Sequence, residues 1–134
     1  MKKESSIPGE EECLEILRSE GVGKNVIKHA VKVAEVARGL VSKIKSKGYD
    51  VDENLVVAGA LLHDIGRSVT HEVSHGVIGG MIIRRRGLDD RLARIVERHV
   101  GGGISKDEAE KLKLGNKDLI PETLEEKIVC YADK

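Results

Sequence analysis

The chain has 134 residues, a length that suits one domain with a single core. Its 23 Lys and Arg balance its 23 Asp and Glu, so nothing in the charge advertises a nucleic-acid or anionic-membrane partner. Cys13 and Cys130 are too few for a disulfide framework and no long apolar run appears, which implies a reduced, cytoplasmic setting, while Tyr49 and Tyr131 are the only aromatics and leave no platform for stacking successive bases.

Helical periods run through the sequence without convincing strand alternation, so the expected class is all-α: a compact single-domain bundle of about six to seven helices over residues 1–134. Residues 1–10 read as a flexible N-terminal segment. A short helix from Glu11 to Ser19 carries Leu14, Ile16 and Leu17 and is closed by Gly21 and Gly23. Asn25 is the expected N-cap of a long helix towards Lys47, with Val26, Ala30, Val33, Ala37, Leu40, Val41 and Ile44 in one stripe. Asp52 caps a third helix whose stretch from Leu55 to Leu62 is apolar all round, the mark of a central element covered on every side. Further helices are expected at His75 to Arg86, Asp89 to Val100, Ser105 to Leu114 and from Pro121 onward, the last with Pro in its first turn. Gly101 to Gly103 reads as a mobile turn.

Five ionisable groups sit at the edges of these apolar stripes. His29 lies between Val26 and Val33 and points inward; the adjacent pair His63 and Asp64 closes the buried third helix. His99 continues the stripe of Leu92, Ile95 and Val96, whereas Glu97 and Arg98 take the outer face. Asp133 shares a face with Ile128, Val129 and Ala132. Burying an isolated carboxylate is costly unless something compensates it. A divalent metal does so here for two aspartates and three imidazoles at once, since these ligands suit Fe, Mn, Co, Ni or Zn and separate helices can aim them at one point.

The order His29, HisAsp at 63 and 64, then Asp133 is similar to the H…HD…D signature of the HD-domain superfamily of metal-dependent phosphohydrolases, with HDIG spelled at 63–66. That resemblance spans nearly the whole chain. It implies the superfamily's helical bundle, with His29, His63, Asp64 and Asp133 binding one metal. His75 and His99 match the two further histidines with which many members hold a second ion, so the resemblance makes Asp64 the bridge. The GYP element of cyclic-di-GMP phosphodiesterases is absent, and the chain is too short for the synthetase domain of the stringent-response enzymes. It stops at Lys134, one residue past Asp133, so either the last helix frays there or the natural protein continues.

One or two such cations activate water and neutralise charge on phosphoryl oxygens, which leads to a metal-dependent phosphohydrolase. Its expected substrate is a small phosphorylated metabolite, a nucleotide or related phosphoester. Arg67 is placed to fork two hydrogen bonds to a phosphate, or else is a surface cation on helix-end carbonyls. His71 is either a proton donor to the leaving alkoxide or a solvent-facing loop residue. Ser74 stands ready to cap the helix that follows. The cluster Arg84, Arg85 and Arg86 reads as a solvated face, and Cys130 as a small buried hydrophobe. An aliphatic helix face is available for a homodimer. The other readings are an HD-type diiron oxygenase, like the myo-inositol oxygenase branch, and a non-catalytic sensor or interaction domain stabilised by metal.

Overall fold

The structure, a computed structural model, describes residues 7–134. They form seven α-helices: α1 (Glu10–Ser19), α2 (Lys24–Ser46), α3 (Glu53–Leu62), α4 (His75–Arg85), α5 (Asp90–Glu97), α6 (Lys106–Lys111) and α7 (Leu124–Ala132). Short 3-10 turns at Ile65–Ser68 and Val100–Gly102 complete the all-α architecture. Among the described residues no helix is long and apolar enough to cross a membrane. Of the segment expected to be flexible, residues 1–6 lie outside the described residues, Pro8 is buried and Glu10 already opens α1.

Every residue of α3 from Leu55 to Leu62 is buried. With no polar side chain to keep wet after Glu53 and Asn54, α3 takes the middle of the molecule, and α1, α2, α5 and α7 all pack against it. The second layer is α4 on α5. Aliphatic residues make the core, and both tyrosines stay outside it. Each fully buried Leu or Ile there contributes roughly 1.5–3 kcal/mol over its exposed state. A smaller cluster of Ile104, Ala109 and Leu119 holds down the excursion between α5 and α7, where Ile104 and Leu119 exchange two backbone hydrogen bonds.

Local chemistry explains most helix ends. The Asp52 carboxylate accepts from the Leu55 amide, and Gly21, at φ 80°, turns the chain out of α1. Asn25, however, is not a cap: α2 starts one residue before it, and the carbonyl of extended Gly23 accepts the Ile27 amide. Nor does Pro121 open α7. Thr123 does so through a reciprocal capping box with Glu126, which leaves the proline outside the helix. Ser105 and Glu108 form the same box on α6, whose run stops at Lys111 because Lys113 takes a left-handed φ of 61°. Ser74 occupies the position before α4 without making a capping bond.

Close backbone approach sets the second layer. Gly76 and Gly79 of α4 face α5 so tightly that an added Cβ would lie 2.7 Å from Val100 Cγ2 and 2.6 Å from Val96 Cγ1. Packing around α5 corrects two expectations. Glu97 is not on the outer face: it is buried, and Arg84 forks onto its two oxygens at 2.9 and 3.4 Å. Arg98 is likewise largely covered, donating at 2.9 Å to the buried Glu126 of α7. The arginine cluster is not a uniform solvated face either, because Arg84 clamps α5 while Arg86 binds Glu20 at 2.8 Å, just beyond the end of α1, and the hydroxyl of Ser19, its last residue.

Candidate metal centre

Five of the six candidate ligands sit at helix ends. His63 caps the C-terminus of α3 and Asp64 follows it; His75 is the first residue of α4; Asp133 caps the C-terminus of α7. His99 lies beyond α5, which ends at Glu97 rather than at Val100 as expected. Only His29 belongs to a helix interior. Its Nε2 turns into the site as expected, but the side chain is not buried: 44% of it is exposed, and it forms the lip of the site.

Placement at helix ends fixes the imidazoles. The last carbonyls of a helix have no intrahelical donor. Two of them, Ala60 in α3 and Val96 in α5, accept Nδ1–H of His63 and His99 at 2.6 Å each. The Glu72 carbonyl takes Nδ1–H of His75 at 2.8 Å. Each ring is therefore held with its proton on Nδ1 and its Nε2 lone pair aimed into the site, the tautomer a metal ligand needs. Nothing in the sequence marked these three carbonyls, since any backbone oxygen can play the part.

Asp64 divides the donors into two groups. Around its Oδ2 lie His63 Nε2 at 3.3 Å and His29 Nε2 at 3.8 Å. Asp133 Oδ1 completes that group, 2.8 Å from His29 and 3.2 Å from His63. Around Asp64 Oδ1 lie His75 Nε2 at 3.2 Å and His99 Nε2 at 3.3 Å, themselves 3.2 Å apart. Ligand atoms at about 2.1 Å from a cation stand about 3.0–3.4 Å from one another, so most of these spacings are those of ligands around a shared centre. The six residues expected from the sequence thus converge, with one carboxylate between two donor sets.

Electrostatics point the same way. Among the described residues His63 Nε2 and Arg98 Nε are the buried side-chain nitrogens without a hydrogen-bond partner. Burial works against a charge on His63, yet Asp133 and Asp64 outweigh it and raise its pKa to about 9. Burial also opposes ionisation of Asp64, and its contacts with His63, His75 and His99 hold it far below the usual carboxylate range. For Asp133 burial is overcome in the same sense by His63 and His29, whereas burial wins at His99 and lowers its pKa. Two ionised carboxylates converging on buried imidazoles need positive charge between them, which without metal is the proton on His63. A divalent cation supplies it, and this donor set suits one.

Arg67 and His71 stand at the rim. Arg67 Nε lies 3.3 Å from Asp64 Oδ2, and its Nη1 lies 3.4 Å from both His71 Nδ1 and the His71 carbonyl. With Asn25 and His29 they line a groove of about 260 Å³ that opens onto Asp64. A second groove, about 460 Å³, runs from the other side of His29 past Asp133 to Tyr131. Lys32, one turn after His29 in α2, stands on that groove's wall, a placement its spacing from His29 already implies. Cys130 is buried behind the centre, its thiol 3.6 Å from the His99 carbonyl.

The chain is 53% identical over 123 residues to an uncharacterised protein of Methanocaldococcus jannaschii, covering 92% of this chain and 72% of that one. It is 48% identical over 127 residues to a tRNA (cytidine(56)-2'-O)-methyltransferase of Picrophilus torridus, where it spans 95% of its own length but only 36% of the relative. A ribonuclease Y of Acidothermus cellulolyticus is 39% identical over 79 residues, 58% of this chain and 15% of the relative. No solved structure gives a significant match. A profile of the HD domain runs over residues 26–134, from just before His29 to just beyond Asp133, and the chain belongs to the HD-domain family.

Proposed function

We propose that the protein is a metal-dependent phosphohydrolase that cleaves a phosphoester of a small metabolite, a nucleotide, with an activated water. The observation that carries this reading is the division of Asp64: Oδ2 faces His29, His63 and Asp133, and Oδ1 faces His75 and His99. Divalent cations bound there would lower the pKa of coordinated water and neutralise charge developing on phosphoryl oxygens. The chain supplies the rest. Three Nδ1–H donations to backbone carbonyls hold the rings in place with Nε2 turned into the site. The Arg67 guanidinium, already beside Asp64, orients the phosphoryl group by two parallel hydrogen bonds. His71 is exposed at the same rim and hands a proton to the departing alkoxide.

A second reading, cleavage of an RNA phosphodiester, draws support from relatives named ribonuclease Y. The even charge balance weighs against a long nucleic-acid footprint. One experiment addresses both. Protein purified without chelators is analysed for metal, then assayed after addition of Mn²⁺, Co²⁺, Ni²⁺, Fe²⁺ or Zn²⁺ against nucleotides, other phosphomonoesters, dinucleotides and an oligoribonucleotide. Metal-dependent release of phosphate or nucleotide that disappears in Asp64→Asn is the expected result. Absence of turnover on the whole panel overturns the proposal.

A further inference from the structure

Tyr131 is 69% exposed and Val36 is 44% exposed, on facing walls of the larger groove between α2 and α7. An exposed large apolar residue alone means little. Here, however, one of only two aromatic residues in the chain stands two positions before Asp133, and the groove it borders is continuous with the metal centre through His29 and Asp133. We propose that this groove receives the nucleoside of the substrate, its base stacked on Tyr131. The proposal rests on the phosphohydrolase reading and names the part of the substrate that the metals do not hold.

The two grooves flanking His29 differ in chemistry. The smaller, with Asn25, Arg67 and His71, presents donors suited to phosphoryl oxygens. Val33, Val36 and Tyr131 give the larger a predominantly apolar wall, with Lys32 beside them. Its volume of about 460 Å³ is enough for a base and a ribose. A phosphate held at the centre with its free oxygens towards Arg67 directs its ester substituent the other way, over Asp133 to Tyr131. A flat, weakly polar ring fits that wall, and stacking on an exposed aromatic does not discriminate strongly between bases. A single tyrosine provides for one base. That agrees with a small nucleotide and not with a track for a strand.

The test has a binding arm and a kinetic arm. The chain has no Trp, so Tyr49→Phe leaves Tyr131 as its only fluorophore. In Zn²⁺-loaded Tyr49→Phe, the non-hydrolysable phosphonate analogue of adenosine 5′-monophosphate is expected to quench that fluorescence, and the corresponding phosphonate of ribose 5-phosphate to leave it unchanged. In turnover, Tyr131→Leu should raise KM for adenosine 5′-monophosphate about tenfold with kcat within about twofold, leave ribose 5-phosphate unaffected, and be rescued by Tyr131→Phe. Absence of quenching, or equal effects of Tyr131→Leu on both substrates, overturns the subsite. If the parent protein hydrolyses nothing in the whole panel while the quench persists, the groove assignment stands and the phosphohydrolase reading falls. If turnover and quench are both missing, both fall.

Discussion

Nε2 of His75 lies 3.2 Å from Nε2 of His99, although each ring already donates its Nδ1 proton to a backbone carbonyl. Two nitrogen lone pairs face each other across this gap, and Asp64 Oδ1 lies within 3.3 Å of both. Only a positive centre makes that arrangement favourable. If this pair holds a second ion, His99→Ala should lower the metal-to-protein ratio and leave the ion held by His29, His63, Asp64 and Asp133. Elemental analysis of wild-type and variant protein checks this; an unchanged metal-to-protein ratio would mean that the His75 and His99 pair is not a ligand set.

Metal should also stabilise the fold, because the ligands come from five separate places along the chain and the unfolded chain has no preformed site. Free metal at a hundred times its Kd adds about 2.7 kcal/mol, enough to raise Tm by several degrees in a domain of this size. A melt with and without a chelator measures the effect. His63→Ala, which empties the shared middle of the cluster, should abolish most of the difference.

In chelated protein the pH dependence of stability has a definite sign. The folded pKa of His63 is raised from 6.5 to about 9, so its contribution is complete below pH 6.5 and is lost as pH rises through 9. Asp64 and Asp133 are lowered, so theirs is present above the ordinary carboxylate range and is lost only on strong acidification. His99 is lowered and acts in the opposite direction to His63, its contribution fading as pH falls below its unfolded value. Urea unfolding of the chelated protein should thus show stability declining between about pH 7 and 9, with His63→Gln removing the decline. A wild-type curve flat over that interval would contradict the charge assignment of His63.

Much of this was legible in the sequence because periodicity and the cost of burying charge act locally. The all-apolar run from Leu55 to Leu62 announced the central helix, and His63 and Asp64 at its end announced that something compensates them there. Less legible was whatever depends on how two elements approach. His29 sits on the edge of the α2 stripe, and only the opening between α2 and α7 leaves it 44% exposed. The phase of Glu97 in α5 points it to solvent. The glycines of HGVIGG held the missing signal, since they let α4 come close enough to cover Glu97 and bring Arg84 to it.

Arg67 offers a test of substrate binding separate from metal binding. Its guanidinium is 30% exposed, with Nε against Asp64 and Nη1 at a long 3.4 Å from His71, a contact that a phosphate taking the fork would replace. Arg67→Ala is expected to raise KM for the preferred phosphoester about tenfold with a smaller change in kcat. Arg67→Lys should restore little, because an ammonium cannot reproduce two parallel hydrogen bonds. Equal kinetics in wild type and Arg67→Ala would return the residue to the role of a surface cation.

The glycine of HDIG makes the last prediction. Gly66 does not have a left-handed φ, so its backbone conformation is open to alanine. Space is what forbids the change: a Cβ would lie 1.9 Å from the His75 carbonyl oxygen and 2.9 Å from the Gly79 amide nitrogen, both backbone atoms that cannot rotate away. The 3-10 turn after Asp64 would have to move off the first turn of α4, and His75 Nε2 would leave its place 3.2 Å from Asp64 Oδ1. Gly66→Ala should cost about 3 kcal/mol of stability and selectively weaken the metal held by His75 and His99. Gly39→Ala, within α2 and with nothing within 4 Å of its added Cβ, is the matched control and should be neutral or slightly stabilising. Equal behaviour of the two variants in urea unfolding and metal stoichiometry would show that contact between the turn and α4 does not position the second donor set.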